Sequence, residues 1–293
     1  MKNLKLLLFG FITGLTDAIP GVSGATVLLL FGIYDDTVEY ASSLVYNQIP
    51  SVLKDVLKRE FESLSENIKR GQVLFLVLLF IGISFGLVSS LLVAERLLNY
   101  IPSIVYGFFF GLISISAVII WVRDIEPQSR SGYLLLTTGI FISVAVVFSS
   151  VVTGNSIPVL FVSGFIATFG MLLPGLSGSF LLLVIGKYSF LVQLVGNFAR
   201  DPVQTLNQSG PSVITLGIGA LLGVLFNLKI VSYFIDKNRQ AVLVLILGLV
   251  IGGTIAPVRE FTGQSQGSPI LFVFGTIIAV ATVGLFYLVG RRF

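Results

Sequence analysis

The sequence predicts an all-α polytopic membrane protein made of two inverted-topology repeats, each a re-entrant helical hairpin followed by three transmembrane helices. Three observations lead there. The chain is too apolar for water, a Pro-Gly-x-Ser-Gly motif occurs twice within a longer register, and the basic residues collect on one side of the implied layout. Of 293 residues, 55% are hydrophobic and 11% charged, with a mean hydropathy of +1.00, whereas a soluble surface carries about 25% charge. Several apolar runs approach or exceed about 20 residues, the length that crosses a hydrocarbon core of about 30 Å. They recur to the end, so residues 1–293 read as a single membrane domain.

The register is carried by Pro20-Gly21-Val22-Ser23-Gly24, followed by Leu28, Leu29, Gly32 and Tyr34. It recurs as Pro174-Gly175-Leu176-Ser177-Gly178, followed by Leu182, Leu183, Gly186 and Tyr188, at a constant offset of 154. Residues 1–150 therefore form repeat 1 and 151–293 repeat 2. Two Gly-x-x-x-Gly pairs follow each motif: Gly82/Gly86 and Gly107/Gly111, then Gly219/Gly223 and Gly248/Gly252. Close helix packing is a sufficient reading of them.

Taken in order, the stretch 4–34 is apolar but broken at its centre by Pro and Gly. Its arms, 4–16 and 22–34, reach about 20 Å each at about 1.5 Å per residue, too short to span. They form a re-entrant hairpin. The segment 35–71 places Leu53, Val56, Leu57, Phe61, Leu64 and Ile68 at helical spacing among charges, an amphipathic cytoplasmic linker lying on the membrane or a solvated helix. Full-length spans follow at 72–93, 101–122 and 131–150. Repeat 2 repeats the order with a hairpin at 158–190 and spans at 211–229, 240–257 and 269–290. Three crossings is an odd number, so the second repeat is inverted. The stretch Met1 to Phe9 has the look of a signal h-region, but no small-residue cleavage site follows, and it is read as mature sequence.

Charge tests this layout. With both termini cytoplasmic, fourteen of the eighteen Lys and Arg residues fall inside, and only Arg96, Lys187, Arg200 and Arg259 fall outside. Treating each broken segment as one span would put the basic 35–71 linker outside. The net charge of +4 therefore reflects membrane orientation and implies no nucleic acid. The absence of Cys and His excludes disulfides, thiolate or imidazole metal sites and Cys or His nucleophiles. No metal or other cofactor is expected, and the sequence does not give an oligomeric state.

Inverted hairpins enter from opposite faces, so their tips are expected to meet near the midplane. Irregular backbone is tolerated there only where it is buried in protein or lines a cavity, and a cavity is the expectation. The outgoing arms start just after Pro20-Gly21 and Pro174-Gly175, turning two helix N-termini inward, a setting that favours an anion. Gly21, Gly24, Gly175 and Gly178 let backbone approach a ligand, and Ser23 and Ser177 offer hydroxyls. The serines have a second reading as caps of their own helices. Thr26 and Ser179 lie on the same turns. Asp17, before the first tip, is an intramembrane acid with no counterpart in repeat 2, where Met171 stands; it suits a coupling proton or ion, or a hydrogen bond to tip backbone. Glu95-Arg96 reads as an interfacial pair, with headgroup contact as the alternative, and Lys187 as a snorkelling cation, with attraction of phosphate headgroups as its alternative.

At Asp17-Ala-Ile-Pro-Gly-Val-Ser-Gly-Ala-Thr26 and Pro174-Gly-Leu-Ser-Gly-Ser179, the sequence resembles the PopT family of bacterial and archaeal polyprenyl-phosphate translocases along the length of the chain. The resemblance implies return of undecaprenyl phosphate from the outer to the inner leaflet of the plasma membrane, a transporter rather than an enzyme, with a lipid phosphate as substrate. Ala25 departs from the second Gly expected there. The first motif is also similar to bacitracin-resistance type undecaprenyl-pyrophosphate phosphatases, through an opening like Gly14-Leu-Thr-Asp17. Those enzymes carry an Arg after the motif Ser and a glutamate pair, where this chain has Gly24, Gly178 and the single acid Asp17. Cleavage needs strong charge stabilisation at the phosphoryl group. An inorganic anion channel or exchanger is the third reading.

Overall fold

The computed structural model describes residues 2–52, 69–126, 130–149, 154–173, 175–264 and 267–290. Among these residues every regular element is helical, and the fold follows from how Pro, Gly and polar caps cut the apolar chain. The first hairpin is α1 (Lys2–Asp17) returning as α2 (Gly24–Leu30), followed by α3 (Tyr34–Ser43) and a π turn at Leu44–Gln48. Three long helices come next: α4 (Arg70–Tyr100), α5 (Pro102–Asp124) and α6 (Arg130–Phe148). The order then repeats. A second hairpin is built from α7 (Ile157–Leu172) and α8 (Gly178–Val184), and α9 (Tyr188–Arg200) follows it. The chain ends with α10 (Pro202–Gly253), α11 (Ile255–Thr262) and α12 (Pro269–Gly290).

Five helical stretches among the described residues are long and apolar enough to cross a membrane: α4, α5 to Arg123, α6, and two arms of α10, the second continuing through α11. The arms divide at Asn238, whose backbone is non-helical and whose Oδ1 accepts the Ala241 N–H at 3.0 Å, capping the second arm. Asp201 starts the first arm in the same way, accepting the Gln204 N–H at 2.9 Å ahead of Pro202 at the first helical position.

The structure corrects several boundaries. The span expected at 72–93 is the 31-residue α4, about 46 Å long at about 1.5 Å per residue, so it projects well past a hydrocarbon core. The span expected at 211–229 begins at Pro202. The outgoing hairpin arms, expected as 22–34 and 178–190, are only seven residues each. Both stop at a glycine in the left-handed region, Gly32 (φ +68°) and Gly186 (φ +72°), which only glycine adopts without steric cost. After the second stop the chain turns by 114° into α9. Of the 35–71 linker, α3 and the π turn are helical; the apolar stripe from Leu53 to Ile68, where the amphipathic helix was expected, lies outside the described residues.

Glycines set the packing. A Cβ at Gly14 would stand 2.1 Å from the Ile83 carbonyl oxygen, and one at Gly86 would stand 2.0 Å from that of Phe11, so α1 and α4 touch backbone to backbone. Gly164, Gly219 and Gly223 make the same contact between α7 and the first arm of α10. Gly107, Gly111 and Gly275 join α5 to α12, and Gly139, Gly248 and Gly252 join α6 to the second arm of α10. Each hairpin thus rests on the long helix that follows it, and the last helix of each half packs on the middle helix of the other. The close packing assigned to the Gly-x-x-x-Gly pairs is what the structure contains. A core that includes Ala18, Phe109, Ile113, Leu176 and Tyr188 fills the space where the hairpins converge.

Candidate functional site

The two hairpin tips meet. Each turns through a left-handed glycine, Gly21 (φ +94°) and Gly175 (φ +89°), and each leaves carbonyls at the end of its first helix that no helical N–H can reach. The tips satisfy them reciprocally. The Tyr34 hydroxyl donates to the Leu172 carbonyl at 2.8 Å and the Tyr188 hydroxyl to the Ala18 carbonyl at 3.1 Å. Donors and acceptors are both separated by the repeat offset of 154.

Asp17 joins the hairpins. Its carboxylate Oδ1 accepts the Gly24 N–H at 3.2 Å, and the Gly178 N–H also lies against it. Its main-chain oxygen accepts the Ser179 hydroxyl at 2.6 Å and that of Ser177 at 3.3 Å, and those two hydroxyls are 2.6 Å apart. Ser23 caps α2 by accepting the Thr26 N–H and donates to the Leu173 carbonyl, both at 3.4 Å. Thr26 Oγ1 accepts the Gly175 N–H at 3.0 Å. Gly21 offers its carbonyl to the Ser116 hydroxyl on α5 at 2.8 Å. Pro20 is buried, and Pro174 lies outside the described residues.

So the residues singled out in sequence do converge, but in a closed arrangement. Asp17, Ser23, Ser177 and Ser179 are each under 8% exposed, and among the described side chains named for the site Thr26 alone reaches the surface. The expectation of tips lining an open cavity gives way to tips sealed on one another, because an unpaired carbonyl in an apolar interior costs several kcal/mol. Ser23 is a cap, as its second reading had it. Ser177 makes no such bond to its own helix; it spends its hydroxyl on the other tip. With α2 and α8 only two turns long, individual N–H and O–H groups carry the electrostatics rather than long helix dipoles. Among the described residues no group of acidic side chains can hold a metal ion.

Beside the second tip runs an apolar cavity of about 590 Å³. Leu173, Leu176 and Leu181 of the second hairpin form one wall, Ile142 and Val146 of α6 another, and Val231 and Leu245 of α10 a third. A polar junction and a long apolar cleft therefore share Leu173 and Leu176 as a common boundary.

Residues 13–284 match the family described as undecaprenyl phosphate translocase-like, VCA0040-like. The chain belongs to this family. It is similar to the polyprenyl-phosphate transporter of Vibrio cholerae serotype O1, with 32% identity over 255 residues covering 86% of this chain and 76% of the relative. It is also similar to the polyprenyl-phosphate transporter of Staphylococcus aureus, with 27% identity over 296 aligned positions and 94% of each chain covered. No solved structure matches it significantly.

In this translocase-like chain, sequence reasoning missed Tyr34, Tyr188 and Ser116 as parts of the tip junction. The tyrosines were visible as identical positions in the repeat register, and that was their signal; Ser116 had none. Two peripheral readings change. Lys187 is 1% exposed, with Nζ donating to the Gly154 carbonyl at 2.7 Å and Asn155 Oδ1 at 3.1 Å, so it ties a loop instead of snorkelling. Glu95 is not paired with its neighbour Arg96; it binds Arg200 on α9 at 3.0 Å and Asn99 at 2.7 Å.

Proposed function

We propose that this chain transports polyprenyl phosphate, the substrate named for both relatives, with the phosphate passing between the paired hairpin tips and the prenyl chain held in lipid and the apolar cavity. One observation carries the reading: the Asp17 carboxylate lies on backbone N–H groups of both hairpins, next to three hydroxyls and at the edge of an apolar cleft. A carboxylate in that position marks where an anionic headgroup binds. A phosphate cannot cross hydrocarbon unaided, since an unpaired ion there costs up to tens of kcal/mol in the Born limit. Donors from two hairpins at one point remove much of that cost.

Competition gives a route to coupling. As phosphate takes the Gly24 and Gly178 N–H groups, the Asp17 carboxylate loses its donors in a buried site, and proton uptake becomes the cheaper state. Headgroup entry and Asp17 protonation are then linked, and release of the headgroup returns the proton. The layout is the inverted-repeat one, with both termini cytoplasmic in the plasma membrane, supported by the charge distribution and by the repeated local geometry of the hairpins. The two halves rock about the tip junction, and the direction in cells is from outer to inner leaflet, serving carrier-lipid recycling in envelope synthesis.

The test is leaflet exchange of a labelled short-chain polyprenyl phosphate in proteoliposomes, with inorganic phosphate release followed from the pyrophosphate form. Exchange without phosphate release is expected. Release without exchange would make the chain a hydrolase, and neither would point to inorganic anion flux.

A further inference from the structure

We propose that a second phosphate-recognition site lies at the far end of α4, a docking subsite for the lipid phosphate headgroup whose donors are the guanidinium groups of Arg96 and Arg200. It rests on the transport reading and orientation above, in which this end faces outward.

Arg200 and Glu95 form the only ion pair among the described residues, and it is lopsided. The Glu95 side chain is 7% exposed and the Arg200 side chain 61%. The carboxylate is the anchor and the cation is what the pair presents. The anchor is built in: a Cβ at Gly196, one turn before Arg200 on α9, would fall 2.7 Å from Glu95 Cγ, so a glycine there admits the carboxylate between the helices. Asn99 donates to the same Oε1 at 2.7 Å, and Asn197 Oδ1 takes the other terminal nitrogen of Arg200 at 2.8 Å. Two of the five guanidinium N–H groups are thereby used, and the rest of the fork is free to bind.

Glu95, Asn99 and Arg200 bound a cavity of about 410 Å³ whose remaining walls are Arg96 and Tyr100. Among the described residues Arg96 has no ion-pair partner. Two guanidinium groups and one carboxylate leave the cavity with a net positive charge, and its other polar groups are neutral donors. Phosphate monoesters are the anions that planar guanidinium groups bind best through paired N–H groups. The placement is also selective. Only four basic residues fall outside under the orientation above, and two of them meet in this one cavity, against the bias that keeps Arg and Lys inside. Arg96 and Arg200 collect the headgroup at the surface; Glu95, held by Gly196, positions Arg200.

The experiment measures binding of labelled short-chain polyprenyl phosphate to the full chain in nanodiscs, with inorganic phosphate as competitor, alongside concentration-dependent exchange in proteoliposomes. Arg96→Gln/Arg200→Gln is expected to raise Kd and the KM for loading from the outer face by about tenfold or more, with a smaller change in maximal rate and a weaker dependence on salt. Arg96→Gln alone, outside the ion pair, carries part of the effect and guards against misfolding. Gly196→Ala, which pushes Glu95 away, raises KM, and Arg200→Lys restores only part of the affinity because it lacks the fork. Competition by millimolar inorganic phosphate, lost in the double variant, assigns the site to the phosphate group on either carrier. Absence of competition with the arginine effect intact assigns it to the lipid-borne headgroup. Unchanged Kd and KM in a folded double variant would overturn the proposal while leaving transport intact. A wild type that binds but does not exchange would instead sink the transport reading, and the binding arm would still decide this one.

Discussion

Asp17→Ala reduces polyprenyl phosphate exchange in proteoliposomes to the rate of protein-free vesicles. The substitution removes the acceptor of the Gly24 N–H and the carboxylate that the Gly178 N–H faces, while the main-chain carbonyl that takes Ser177 and Ser179 remains. Hydrogen bonds to a charged group contribute about 1.5–3 kcal/mol, and a buried donor left without a partner costs about 1–3 kcal/mol. Loss on that scale at the junction of the two hairpins corresponds to at least a tenfold fall in rate. Asp17→Asn separates structure from coupling. Its side-chain oxygen still accepts from Gly24, so the protein melts near the wild-type temperature, but it cannot take up a proton. Exchange by Asp17→Asn falls and becomes independent of pH. A variant that kept the wild-type rate and pH profile would remove Asp17 from the coupling.

Gly14→Val gives a large stability loss. The added Cβ would sit 2.1 Å from the Ile83 carbonyl oxygen and 2.7 Å from the Leu87 nitrogen, both backbone atoms that no rotamer change can clear. α1 must lift off α4, taking Asp17 and the first tip with it. Overpacking a well-filled interior typically costs about 1–3 kcal/mol, and more where backbone must move; a loss at or above that range is expected in detergent or SDS denaturation. Gly217→Ala on α10, where a Cβ would meet nothing within 4 Å, is the matched control and leaves the midpoint unchanged. Equal midpoints for the two variants would contradict the backbone-to-backbone packing.

Much of this architecture was legible before any coordinates. The register from Pro20 to Tyr34 and from Pro174 to Tyr188 predicted two equivalent hairpins, and the glycine spacing predicted close helix crossings, because both are local requirements of backbone geometry. What sequence concealed was tertiary. The run from Val27 to Phe31 is uniformly apolar, so the arm was expected to continue to Tyr34, and Gly32, matched by Gly186 in the register, was the one signal that α2 would stop at Leu30. The polar residues Glu95, Arg96 and Asn99 read as the end of a span, whereas α4 continues through them because Glu95 finds its partner 105 residues away on α9. The kink at Asn238 divides a helix within a charged stretch that resembled a loop. Above all, the sequence singled out the hydroxyls of Ser177 and Ser179 as ligand donors without showing that both meet the Asp17 carbonyl. Their choice of the Asp17 carbonyl depends on the opposite hairpin, which no one-dimensional pattern encodes.

The chain contains no cysteine, which allows a direct test of passage through the junction. A single cysteine at Ser177, 2% exposed in the closed arrangement, is probed with a membrane-impermeant maleimide applied from one side of proteoliposomes and then from the other. If the tips are the headgroup passage, Ser177→Cys is labelled slowly from both sides, and short-chain polyprenyl phosphate suppresses labelling from both. Labelling from neither side, or labelling indifferent to the lipid while exchange continues, would place the pathway elsewhere.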